Sequence, residues 1–170
     1  MELHVPQMNN SDLQQAAKLW TTGEALEAGR LIFENLPSKE RPRWAAGILK
    51  LVLDRSSVEP SLFSRVVTVA ENEDLWKQGH QVFDSLRDTT LTFDDLRRSR
   101  ALTNDEELLA SIVLLGELVA KVIYNATNPL DEFDNDSGWY IAAHLRAFVD
   151  RWSRDEHFVL AAWMVLTSCQ

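Results

Sequence analysis

Three histidines, two of them with carboxylates near in sequence, are the side chains of this chain best placed to do chemistry. His80 stands four residues before Asp84, His144 stands four after Tyr140, and His157 directly follows Asp155 and Glu156. A four-residue step on a helix puts both side chains on one face, where an acid can orient an imidazole for proton transfer. A helical enzyme would draw on His80, His144 or His157 with carboxylates, and would need two of them and an acid to line one cleft. His4 lies near the start of the chain, outside the helical pattern. Zinc finds no local foothold, because there is neither a His-Glu-x-x-His spacing nor a cysteine pair. Cys169 is the one cysteine and has no base at a local spacing, so it makes a poor nucleophile. The glycine-rich phosphate loops and the GxSxG elbow are absent as well. We therefore assign no catalytic residue, no metal and no cofactor, and read the histidines as structural or surface groups.

Segment 128–140, NPLDEFDNDSGWY, gathers four acids, a glycine and three aromatics. A calcium loop needs glycine at its sixth position and oxygen ligands at the first and twelfth. Setting Gly138 as the sixth puts Phe133 first and His144 twelfth, which is the wrong chemistry at both. The segment is better read as a long connection, with Leu130 and Phe133 pinning it and Asp136 or Ser137 capping a helix near Gly138.

The formal charge of −9 opposes phosphate-backbone binding, where lysine and arginine must displace counterions. Its placement is more informative. Between Arg100 and Arg146 stand Asp105, Glu106, Glu107, Glu117, Asp131, Glu132, Asp134 and Asp136 against Lys121 alone. Such a region can steer a basic protein partner. Arg97, Arg98 and Arg100 form the one basic cluster, and they follow Asp94 and Asp95, which suits a solvated helix face.

Arg151 and His157, with five residues between them, resemble the Arg-x(4–6)-His element of helical HEPN-type ribonucleases. That resemblance would imply a pair handling a scissile phosphate across a dimer interface. Here Ser153 should break the helix between the two, whereas the family's pair shares a helix start. Gly23 to Pro37, GEALEAGRLIFENLP, resembles the second helix of a tetratricopeptide unit, with Gly23 and Ala28 suited to a close helix crossing. Nothing recurs one repeat length later, where Ser57 replaces the glycine.

The elements that must hold these groups are helices. Leu13, Ala16, Ala17 and Trp20 recur at the helical period, as do Ala25, Ala28, Gly29, Ile32 and Leu36, then Trp44, Ile48, Leu51 and Val52. Ser11-x-x-Gln14, Thr92-x-x-Asp95, Thr103-x-x-Glu106 and Ser153-x-x-Glu156 all read as helix-start boxes, and Pro42 and Pro60 suit first turns. Only ELHV and TLTF alternate like strands. Over 105–124 apolar residues cover most of the circumference, leaving Glu117 and Lys121 as an exposed ion pair one turn apart. Residues 158–166, FVLAAWMVL, are apolar all round, so they are enclosed by the domain or covered by a second copy through 154–168. The six tryptophans mostly fall on apolar stripes and belong to the core.

We expect one all-α domain of about eight helices over 11–170, behind a tail at 1–10, with 105–124 and 154–168 central and no substantial β-sheet. Without a basic, apolar leader, a membrane-length apolar run or a disulfide, the chain reads as cytoplasmic. The expected function is a non-enzymatic protein–protein interaction module: an adaptor, inhibitor or assembly subunit. Its acidic surface would run from 103 to 138, with Asp105, Glu106, Glu107, Asp131, Glu132, Asp134 and Asp136 as partner-binding residues. The helical enzyme is one alternative. An acidic decoy filling the basic groove of a nucleic-acid-binding protein is the other.

Overall fold

The computed structural model describes residues 8–129, 136–153 and 155–167. Those residues form eight α-helices and two short 3-10 helices, with no strand among them. The helices are α1 (Asn10–Thr21), α2 (Ala25–Asn35), α3 (Arg41–Arg55), α4 (Ser64–Glu71), α5 (Gly79–Ser99), α6 (Asn104–Thr127), α7 (Ser137–Trp152) and α8 (Glu156–Leu166). The 3-10 pieces, Pro60–Phe63 and Glu73–Gln78, lead into α4 and α5. The all-helical bundle expected from the apolar period is the fold observed. Among the described residues no helix is long and apolar enough to cross a membrane.

Helix α6 is the axis. It packs on α5, α3, α7 and α4, and its Ile112, Val113, Val119, Ala120 and Ile123 are essentially sealed from water. The α1–α2 hairpin lies on α7, and α8 lies across α3 and α7. One continuous apolar core runs through all eight helices. It includes Met8, so burial begins before residue 11, and Asn10 is already helical.

The helix starts separate true boxes from chance spacings. Thr103 accepts the Glu106 N–H while Glu106 reaches back to the Thr103 N–H, a complete reciprocal cap. Thr92 is no start. Its hydroxyl donates to the Asp88 carbonyl inside α5, because the buried stripe Val82, Leu86, Thr90, Phe93 carries one helix straight through it. TLTF is therefore helical, and ELHV lies outside the described residues. Asn9, not Ser11, caps α1, and Asp155, not Ser153, caps α8. Pro42 sits in the first turn of α3 and Pro60 in that of its 3-10 helix.

Two glycines fix the α1–α2 hairpin and its seat. Gly23 has φ +86° and ends α1, with its N–H donating to the Trp20 carbonyl and the Glu24 N–H to that of Leu19. It makes a turn, not the helix crossing expected of it. The crossing glycine is Gly29, where a Cβ would stand 2.5 Å from the Ala142 Cβ and 3.0 Å from the Trp139 carbonyl oxygen.

Helix α8 is half enclosed and peripheral, not central. Phe158, Ala162 and Leu166 are fully buried, while Leu160 and Met164 on the opposite side are 58% and 61% exposed. No tryptophan is fully exposed: Trp20, Trp44 and Trp76 are buried, and Trp139, Trp152 and Trp163 are partly so. The Trp44 indole N–H donates to the Leu166 carbonyl at 2.9 Å, tying α3 to the end of α8.

Candidate functional site

Among the described acids, Asp105, Glu106 and Glu107 do not share a surface with Asp136. Asp105, Glu106 and Glu107 occupy the first turn of α6. Asp136 precedes α7, whose first residues Ser137 and Gly138 line a small cavity with Val122, Asn125 and Ala126 at the other end of α6. With 24 residues, α6 sets these two ends roughly 36 Å apart. Asp131, Glu132 and Asp134 lie outside the described residues.

At the first end, two of the three acids are already engaged. Arg100 grips Glu106 through two 2.8 Å hydrogen bonds, and Arg97 donates to Glu107 at 3.1 Å. The Arg100 guanidinium, then the Thr103 N–H, lower the Glu106 carboxyl to about 2. The basic cluster is thus spent on neighbouring acids, with Arg98 on Asp95 completing it. Asp105 remains exposed and has no ion-pair partner among the described residues. It stands at a groove of about 320 Å³ lined by Ser57, Val58, Glu59, Ser61, Leu62, Leu108 and Leu109. Leu108 is its buried floor, and Leu62 is 41% exposed on its wall. No lysine or arginine lines it. Glu59 holds the approach by accepting the Ser61 N–H at 3.3 Å, which caps the 3-10 turn.

Among the described residues the histidines do not gather. His80 meets Asp84 at 3.1 Å as their spacing requires, but on an open surface, with both side chains more than half exposed. His157 sits in the first turn of α8, where its N–H donates to the Asp155 cap. Arg151 lies near the end of α7 over the Trp152 ring, and the break at 153–155 separates it from His157. His144 enters a cleft with an acid, and burial lowers its pKa. Among the described residues, no three metal-ligating side chains come together.

That acid is Glu117, which was expected on the surface. It is 4% exposed and sits in the buried stripe Ala110, Val113, Glu117, Ala120, turned toward α5. The Thr90 hydroxyl donates to its Oε2 at 3.0 Å, and Arg87 Nη1 lies 3.6 Å from Oε1. Burial raises its pKa, against the opposing pull of Thr90, Arg87 and Lys121. Phe83, Arg87, Leu114, Glu117, Leu118, Lys121 and His144 enclose a cleft of about 420 Å³ where α5 and α7 flank α6. The Lys121 ammonium lies 5.5 Å from the centre of the Phe83 ring. The signal for this site was Thr90, a hydroxyl on the buried stripe of α5, which calls for a polar partner across the helix pair.

No protein-family model matches the chain, and no curated protein or solved structure matches it.

Proposed function

We propose that the chain is a non-enzymatic interaction module that captures a partner protein through the groove between residues 57–62 and the start of α6. The observation that carries this reading is the pairing of apolar wall and unneutralised rim. Val58, Leu62 and Leu109 are partly or openly exposed beside Asp105 and Glu59, with no cation in the lining. The complementary occupant is a basic, amphipathic polypeptide segment, its apolar side chains on the leucines and its lysines or arginines on the two carboxylates. Glu106 and Glu107 contribute little attraction, since Arg100 and Arg97 offset them at contact distance. A cytoplasmic partner is in keeping with a chain that holds a single cysteine.

The groove lies at the start of α6, and Asp131, Glu132 and Asp134 follow α6 in the sequence, so the two sets can be tested by separate variants. Leu62→Ser and Asp105→Arg should each remove the same captured proteins in a quantitative pull-down, with the helical circular dichroism unchanged. Charge reversal at Asp131, Glu132 and Asp134 should leave that capture standing. The opposite pattern would move the docking surface to the 128–138 end and overturn the groove.

A further inference from the structure

Segment 56–64 carries four serines, and their surroundings set one of them apart. Ser56 is half-buried, and its hydroxyl donates to the Leu53 carbonyl at 3.2 Å and accepts the Val58 N–H at 3.4 Å. Ser61 lies inside the 3-10 helix, with its N–H held by Glu59. Ser64 opens α4, and its hydroxyl donates to the Ser61 carbonyl at 2.9 Å. Ser57 alone is exposed on irregular backbone with a hydroxyl that makes no hydrogen bond among the described residues. A modifying enzyme draws its target residue into an extended backbone, which a serine in a helical turn or tied to a neighbour resists. Ser57 also lines the docking groove, where the charged groups are Glu59 and Asp105. The cation nearest in sequence, Arg55, is turned to α8. Its Nη1 lies 3.9 Å from Asp155, and its guanidinium stands 5.5 Å from the centre of the Phe158 ring.

We propose that Ser57 is a phosphorylation site that tightens the groove's hold on a basic partner, an inference that rests on the groove being the docking surface. The Ser57 hydroxyl oxygen attacks the γ-phosphorus of ATP held by a protein kinase. The bond from that phosphorus to the ADP oxygen breaks, and the hydroxyl proton passes to the kinase's carboxylate base. The product adds about −1.5 to −2 charges and three strong acceptor oxygens. A phosphate beside arginines folds onto them, whereas one among carboxylates is left facing outward. No lysine or arginine lines this groove, so the new charge stays open to the lysines or arginines of the occupant. Its repulsion with Glu59 and Asp105 acts between exposed groups and is screened by salt. The leucines then set where the partner lies, and the phosphate sets how tightly it is held.

The test has two arms. Tandem mass spectrometry of the full chain isolated from its own cells, with phosphatases inhibited, should find phosphate on Ser57 and not on Ser56, Ser61 or Ser64. A segment without phosphate on Ser57 overturns the proposal. The second arm installs Ser57→phosphoserine in the full chain by genetic encoding. Its readout is the fluorescence anisotropy of a synthetic amphipathic helix of leucine and lysine, with a helix of leucine and glutamate as control. The lysine helix should bind the unmodified chain, and Leu62→Ser should abolish that binding. No binding, or binding that Leu62→Ser leaves unchanged, defeats the docking groove and this inference with it. Once the groove has passed, Ser57→phosphoserine should tighten the lysine helix about threefold to tenfold at low salt, the scale of one added charge pair at a rim. High salt should erase the gain, and the glutamate helix should show none. Equal or weaker binding after phosphorylation overturns the regulatory role and leaves the docking surface standing.

Discussion

Glu117 is held by a balance of opposing forces, and the balance has a pH signature. Thr90, Arg87 and Lys121 favour its ionised form, but burial outweighs them and its pKa rises above the usual 4.5. A carboxyl with a raised folded-state pKa binds its proton more tightly folded than unfolded. Its contribution to stability is therefore complete below about 4.5 and is lost as pH rises through the folded value. Glu117→Gln removes that titration and keeps an oxygen for the Thr90 hydroxyl. Thermal melts of the two proteins should show the variant gaining on the wild type as pH goes from 4 to 8 (roughly the carboxylate-to-histidine range). Taking the difference cancels every other titrating group, so a gap that stays constant with pH would remove burial as the dominant force on this side chain. Its burial was hard to read because one charge on an otherwise apolar wheel looks like the exposed edge. Only Thr90, a helix away, argues otherwise, and linking the two requires the α5–α6 register. The same limit applied to the histidines. His80 and Asp84 meet because their contact is local, whereas the neighbours of His144 come from two other helices.

Among the elements, local chemistry decided some features and tertiary contact decided others. The Thr103 box was legible because both halves of the cap stand within four residues and no apolar stripe passes through them. At Thr92 the same spacing lies inside an unbroken buried stripe, and packing along α5 overrides it. Glycine roles divide in the same way. Gly23 ends a helix with positive φ, and Gly29 is where α2 meets α7, yet both occur in one short segment as plain glycines. The packing of α2 on α7 makes a paired prediction. Gly29→Ala would drive its Cβ against Ala142 and the Trp139 carbonyl, and backbone cannot yield as a flexible side chain can. The expected loss is about 1–3 kcal/mol, reduced slightly by the better helix propensity of alanine. Gly47→Ala meets only Val165 Cγ1 at 3.8 Å, an ordinary contact, and should stabilise by roughly 0.5–1 kcal/mol. Urea unfolding of the two variants decides the matter, and a tolerated Gly29→Ala would mean that the α2–α7 seat is loose.

At the scale of the whole molecule, adjacency in sequence and adjacency in space part company. The acidic stretch from Asp105 to Asp136 reads as one region along the chain, but the rod of α6 sets Asp105 and Asp136 at opposite ends. Helix α8 shows the same principle across its width. Its residues are apolar all round, and the fold uses only one side: Phe158 lies edge-on to Phe148 with ring centres 5.7 Å apart, while Leu160 and Met164 face outward. Stable dimers bury about 800 Å² per partner. Two outward side chains on an 11-residue helix supply a small part of that area, so self-association through α8 should be weak. Sedimentation equilibrium should find a monomer at micromolar concentration, with any association near millimolar removed by Leu160→Glu plus Met164→Glu. Those exposed changes should leave the melting temperature nearly fixed. Phe158→Ala on the inner side should cost about 3–5 kcal/mol, because it opens a cavity in the packed core. A tight micromolar dimer that the double glutamate variant dissolves would contradict the estimate. It would make α8 a true subunit interface, with the outward leucine and methionine at its centre.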